Sequence, residues 1–134
     1  MTPRMLVWWF SHLEGDVVIA GQRILTNAHV VAGATLVEVR RQGDADKLQA
    51  QVLWISHAPD LALLKVDSPG FFEGVTPLEL GELPTLQQEV TVLGFPRGGD
   101  TLSVTRGVVS RVEHSMGAHS WVEMLAAQID AEPW

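Results

Sequence analysis

Short runs with an apolar residue at every second position, each closed by turn-forming residues, limit this 134-residue chain to an architecture of strands. In "LQAQVLW" (48–54), Leu48, Ala50, Val52 and Trp54 share one face while Gln49 and Gln51 share the other. "TLVEVRR" (35–41) sets Val37 and Val39 opposite Glu38 and Arg40. The polar "QGDADK" between the two runs makes them a hairpin. "LALLKV" (61–66) is a continuous apolar run of strand length, which predicts burial on both faces. "EVTVLGF" (89–95) and "TLSVTRGVVSRVE" (101–113) repeat the theme across the turn "PRGGD". "SWVEMLAAQID" (120–130) has helix-favouring Met, Leu and Ala, but its place among strands predicts another strand. A single helical turn is expected after Thr26-Asn27, with one of those two side chains capping its first amides. Many short strands with turns between them predict an all-β barrel or sandwich.

The bulk numbers narrow the function classes. Hydrophobic residues make up 46% and charged residues 19%, which describes a chain able to build a core. The net charge of −7, with no basic tract or stripe, argues against nucleic acid and anionic membrane surfaces as partners. Arg40-Arg41 is the one basic pair and reads as a solvated strand end. Cysteine is absent, which excludes disulfides, thiol catalysis and cysteine-rich zinc sites. The apolar run in "MTPRMLVWWF" is too short for a signal-peptide core. No stretch approaches the roughly 20 apolar residues that span a membrane. We therefore expect neither a targeting segment nor a membrane span in these residues.

Chemistry concentrates in "RILTNAHVV" (23–31) and "DLALLKV" (60–66). A strand delivers His29 to a tight turn, and Asp60 stands immediately before a buried strand. Acid–base work at a histidine needs a partner that holds the ring's tautomer and favours its imidazolium form. A carboxylate at the mouth of an apolar strand can do both, because low dielectric strengthens the contact. Spacing alone leaves a second reading open, in which His29 is a packed histidine that has merely found a hydrogen bond.

The wording of four ordered blocks resembles the Deg/HtrA family of trypsin-like serine endopeptidases over roughly residues 17–131. "TNAHVV" resembles the family's histidine box and "DLALLKV" its aspartate box. "LGFPRGGDTLSVTRGVVSRVE" is similar to the stretch that opens the second barrel, and "QIDA" (128–131) to the lead-in to the nucleophile. "FFEGVTPLELGELPTLQQEVTVLGFP" resembles in particular the Deg proteases of plant and algal organelles and their bacterial relatives. The resemblance implies a chymotrypsin-like double β-barrel, with the first barrel nearly complete and the second incomplete. With the proline- and glycine-containing 67–84 read as a connector, the chain divides into an atypical segment 1–16, a first barrel 17–66, the connector 67–84 and a partial second barrel 85–134. The resemblance also implies peptide-bond hydrolysis with His29 as general base, Asp60 as the residue that orients it, and no cofactor. Unfolded or peptide substrates are implied too, as is a trimer-like homo-oligomer; Trp8, Trp9 and Phe10 could contact it, but core packing is their more expected use. Family members occupy the periplasm or organelles such as plastids.

In the family the lead-in continues into Gly-Asn-Ser-Gly-Gly, which supplies the nucleophile and the oxyanion hole. Here "QIDA" is followed by Glu132, Pro133 and Trp134, so these residues contain the base and its orienting partner without the serine. No other serine qualifies. Ser103 and Ser110 fall within a predicted strand, and Ser115 and Ser120 flank a predicted loop carrying His114 and His119 with no strained glycine-rich turn. Ser11, Ser56 and Ser68 have nothing more to recommend them. His12, His57, His114 and His119 match no metal-ligand spacing, so no metal site is expected. An open second barrel would expose strand edges, which predicts self-association or reliance on a partner. Three readings follow: the N-terminal part of a Deg/HtrA endopeptidase, which is preferred; an inactive relative that binds polypeptide or family protomers; and an acidic β-rich structural domain.

Overall fold

The computed structural model describes residues 13–14, 16–41, 43–96, 101–116 and 123–131. Expectations placed on Trp8, Trp9, Phe10, Ser11, His12, His119, Ser120 and the turn residues 97–100 lie outside the described residues. Two compact units emerge, Asp16–Leu78 and a second made of β1 (Leu13–Glu14) with the described residues from Glu79 onward. Among the described residues no helix is long and apolar enough to cross a membrane.

The Asp16–Leu78 unit is a five-stranded antiparallel sheet. Its strands are β2 (Val17–Ile19), β3 (Arg23–Thr26), β4 (Val37–Val39), β5 (Leu48–Ser56) and β6 (Leu61–Val66), in the order β2-β3-β6-β5-β4. The β2–β3 turn needs a left-handed residue, supplied by Gly21 at φ 79°. Gln22 follows at φ 56°, and the Arg23 guanidinium donates to the carbonyls of both turn residues. The expected hairpin of 35–41 with 48–54 forms as β4 and β5, pairing Val37 with Ala50 and Val39 with Leu48.

Burial explains why this sheet holds. Ile24, Val31, Val39, Ala50, Ala62, Leu64, Val66 and Phe72 form one buried cluster, and β6 contributes three of them at alternate positions. The expectation that "LALLKV" is buried on both faces is therefore corrected: Ala62, Leu64 and Val66 are buried, while Leu61, Leu63 and Lys65 are half-buried. A strand near the centre of a sheet buries one face on the core and keeps the other partly open. Phe72 reaches this core from a 3₁₀ turn at Pro69–Phe72, where Phe71 meets it edge-on with ring centroids 5.1 Å apart.

A second correction concerns β5. Its register on β6 shifts between Val52 and Trp54, so Val52 faces Leu64 whereas Trp54 faces Leu63. An extra residue in one strand reverses the alternation beyond it. Trp54 consequently leaves the face of Ala50 and Val52 and stands 50% exposed, and Ile55 takes the inward position opposite Ala62.

The second unit is a sheet in the order β1-β7-β8-β9, with β7 (Glu89–Pro96), β8 (Ser103–Met116) and β9 (Glu123–Ala131) antiparallel. From Glu123 onward the ambiguous segment is a strand, as expected, despite its helix-favouring residues. β8 runs through His114 and Ser115, which corrects their placement in a loop. Val90, Val92 and Val109 are its buried apolar residues. The amide of Gln87, at φ 64°, donates to the Val109 carbonyl, and the Val109 amide donates to Gln88.

Leu64, 1% exposed, and Leu80, 73% exposed, differ only in surroundings. We expect Leu64→Ala to lower the unfolding free energy by about 2–5 kcal/mol and Leu80→Ala to change it by less than about 0.5 kcal/mol, measured by denaturant titration.

Candidate active site

The site grows from the end of the β3–β6 ladder. The last paired residues are Thr26 and Ala62, so the chain leaves β3 at Asn27 directly beside the point where it enters β6 at Leu61. Asn27 then opens a one-turn helix, α1 (Ala28–Val31), whose inner residues Ala28 and Val31 are buried. Burying one side of that turn leaves His29 at its mouth, with a side chain 29% exposed. Across the ladder, a tight turn closed by the Asp60 amide on the His57 carbonyl ends with Asp60 at φ 55°. A left-handed conformation costs a residue with a Cβ about 1–2 kcal/mol. Aspartate is among the side chains that tolerate it.

His29 and Asp60, placed independently by the sequence, meet here. The Nδ1–H of His29 donates to Asp60 Oδ2 at 2.6 Å. An ionised carboxylate only accepts, so the neutral ring carries its proton on Nδ1 and leaves Nε2 as its basic nitrogen. The other carboxylate oxygen, Oδ1, accepts from the His29 amide at 2.9 Å. The Asp60 carbonyl in turn accepts from the Ala28 amide at 3.1 Å and from Asn27 Nδ2 at 3.1 Å. With its side chain 8% exposed, Asp60 meets these donors in a region where charge-assisted bonds are stronger than in water.

The expectation that Asn27 or Thr26 caps the helical turn is corrected by this arrangement. Asn27 occupies the N-cap position, yet its side chain makes no capping bond. Asp60 supplies that acceptor instead, from across the ladder. A cap supplied from 31 positions away carries no local sequence signature.

The remaining candidates are dispersed. His57 is an exposed residue of the turn before Asp60. His114 is 68% exposed and lies 3.9 Å from Glu123. The Ser110 hydroxyl donates to the Gln128 carbonyl where the β8–β9 register shifts, a structural use of that side chain. Ser103 faces Gly94 in the β7–β8 ladder.

Removing the Asp60 carboxylate leaves the His29 amide and ring without their acceptor. We expect Asp60→Ala to destabilise the chain by about 2–4 kcal/mol. Asp60→Gly, which relieves the left-handed backbone, should cost roughly 0.5–1 kcal/mol less, and paired thermal melts would read the difference.

Comparison with known proteins places this geometry in context. A family described as "Trypsin-like peptidase domain" matches residues 14–134. A putative mitochondrial protease Do-like 3 of Arabidopsis thaliana is 48% identical over 134 residues, covering 96% of this chain and 24% of that protein. The chloroplastic protease Do-like 2 of the same plant is 51% identical over 122 residues, covering 91% of this chain and 20% of that protein. The chain thus spans about a fifth to a quarter of the length of these relatives. Among solved structures, the HtrA-type protease AlgW with a decapeptide superposes with a TM-score of 0.68 at 25% identity, covering 87% of this chain and 35% of that one. Among its described residues, this chain's two antiparallel sheets and single short α-helix are those of a chymotrypsin-like all-β fold. The chain belongs to the trypsin-like peptidase domain family, on its Deg/HtrA branch.

Proposed function

We propose that these residues are the N-terminal part of the protease domain of a Deg/HtrA-type serine endopeptidase, with His29 as general base and Asp60 as its orienting partner. The observation that carries this reading is the 2.6 Å contact between His29 Nδ1 and Asp60 Oδ2, in a chain whose relatives are Do-like proteases. Nδ1 is engaged by the carboxylate, so Nε2 takes the proton as a serine hydroxyl attacks the scissile carbonyl. Asp60 stabilises the imidazolium that forms, and Nε2 returns the proton to the leaving amine. The serine and the backbone amides that stabilise the oxyanion are supplied by a glycine-rich turn that these 134 residues do not contain. On their own they therefore lack nucleophile and oxyanion hole, and do not hydrolyse peptides. The substrates are unfolded polypeptides or peptides; the HtrA-type relative was solved with a decapeptide. Assembly is as a trimer-like homo-oligomer.

A second reading, a non-catalytic module that binds polypeptide or family protomers, draws on the exposed Met116 and Leu125 of the second unit. The two readings part in a chimera. Residues 17–131 replace the matching segment of the chloroplastic Do-like 2 protease, and casein hydrolysis is followed. We expect activity in the chimera and a loss of about a millionfold in turnover on His29→Ala. A chimera that cleaves casein equally well without His29 would sink the base assignment. We also expect the 134-residue chain to show no labelling by a fluorophosphonate, since that reagent reports an activated serine; robust labelling overturns the missing-nucleophile reading.

A further inference from the structure

We infer that Asn27 is a positioning residue for the His29–Asp60 pair, acting through the Asp60 peptide; this rests on the reading of that pair as base and orienting partner. Asn27 holds the N-cap position of α1 with extended backbone (φ −85°, ψ 142°), where an asparagine ordinarily caps its own helix. It makes no such bond. Its Nδ2 instead crosses the ladder to the Asp60 carbonyl at 3.1 Å. The capping role passes to Asp60 Oδ1, which accepts from the His29 amide at 2.9 Å. The two residues thus exchange partners: the side chain of Asn27 holds the backbone of Asp60, and the side chain of Asp60 holds the backbone and ring of His29.

The exchange matters because Asp60 sits at φ 55°. A strained conformation persists only where its surroundings over-determine it. Two donors fix the Asp60 carbonyl, the Ala28 amide and Asn27 Nδ2. Only the second belongs to a side chain. Anchoring that carbonyl to Asn27 and Ala28 holds the Asp60 backbone against the helical turn, and losing one anchor lets the Cα, and with it the carboxylate, drift from His29 Nδ1. Asn27 touches no reacting atom; it sets the direction from which the carboxylate approaches the ring.

The test separates this role from helix capping. Asn27→Ser keeps a good N-cap residue but is too short to reach the Asp60 carbonyl, and Asn27→Asp keeps the size while removing the donor. In the unsubstituted chain, ¹⁵N NMR of the neutral His29 ring should show the Nδ1–H tautomer and a strongly downfield Nδ1 proton, assigned by their disappearance in His29→Ala. In both Asn27 variants we expect a cooperative melt, loss of the downfield proton, and a shift of the Nδ1–H to Nε2–H ratio toward Nε2–H by about fivefold. An unchanged tautomer ratio in both variants overturns the positioning role while leaving the His29–Asp60 reading intact. Unfolding of both variants overturns it too, because Asn27 would then serve the fold rather than the pair. Absence of the Nδ1 signature from the unsubstituted chain overturns the parent reading, and the inference with it.

Discussion

Asp60 is the joint on which the site depends. Its backbone is left-handed and its side chain nearly buried, so every polar atom it carries must be met by protein. The donors to its carbonyl and carboxylate all come from Asn27, Ala28 and His29, on the far side of the β3–β6 ladder. Strain of about 1–2 kcal/mol at one residue is offset by bonds that also tie a helical turn to a strand. Remove the carboxylate and both the turn's amide and the imidazole lose their acceptor. Fold and candidate chemistry therefore share one residue.

What holds Asp60 in turn is the core of its own unit. Ala62 and Leu64, at 0% and 1% exposure, begin the buried face of β6 just past the turn. Ala28 and Val31 anchor the helical turn on the other side. The His29–Asp60 pair lies within Asp16–Leu78, and the bonds that Asn27, Ala28 and His29 make to Asp60 are internal to that unit. Among the described residues of the second unit, Val90, Val92 and Val109 are buried while Leu93, Val104, Met116 and Leu125 are exposed.

The legible part of the structure was whatever repeats at short range. Alternation in "TLVEVRR" and "LQAQVLW" specified the hairpin, and the apolar run in "LALLKV" located the central strand. His29 and Asp60 stood out because the wording around each matched a family box; that they flank one ladder emerges only in the structure. The failures share a cause. The extra residue that turns Trp54 to the opposite face changes phase without changing composition, so period-two reading carries straight through it. The cap supplied by Asp60 lies 31 positions from the amide it serves, beyond any local rule. Likewise, nothing in "LQQEV" announces a left-handed Gln87, a conformation that glycine usually signals.

Strand order also sets a sequence of events. β4, β5 and β6 are successive antiparallel neighbours, so each pairing closes only the connection between adjacent strands. β3 joins β6 across the whole of that meander, from Thr26 to Ala62. Closing so long a loop costs about 2 kcal/mol more chain entropy than closing the short turn between β5 and β6. Local hairpins consequently form first and the β3–β6 ladder afterwards. The imidazole and carboxylate thus stay apart until the sheet they sit on has been assembled. A nascent chain passes through its hairpin stage without a paired base, and acquires one only in the step that completes its core.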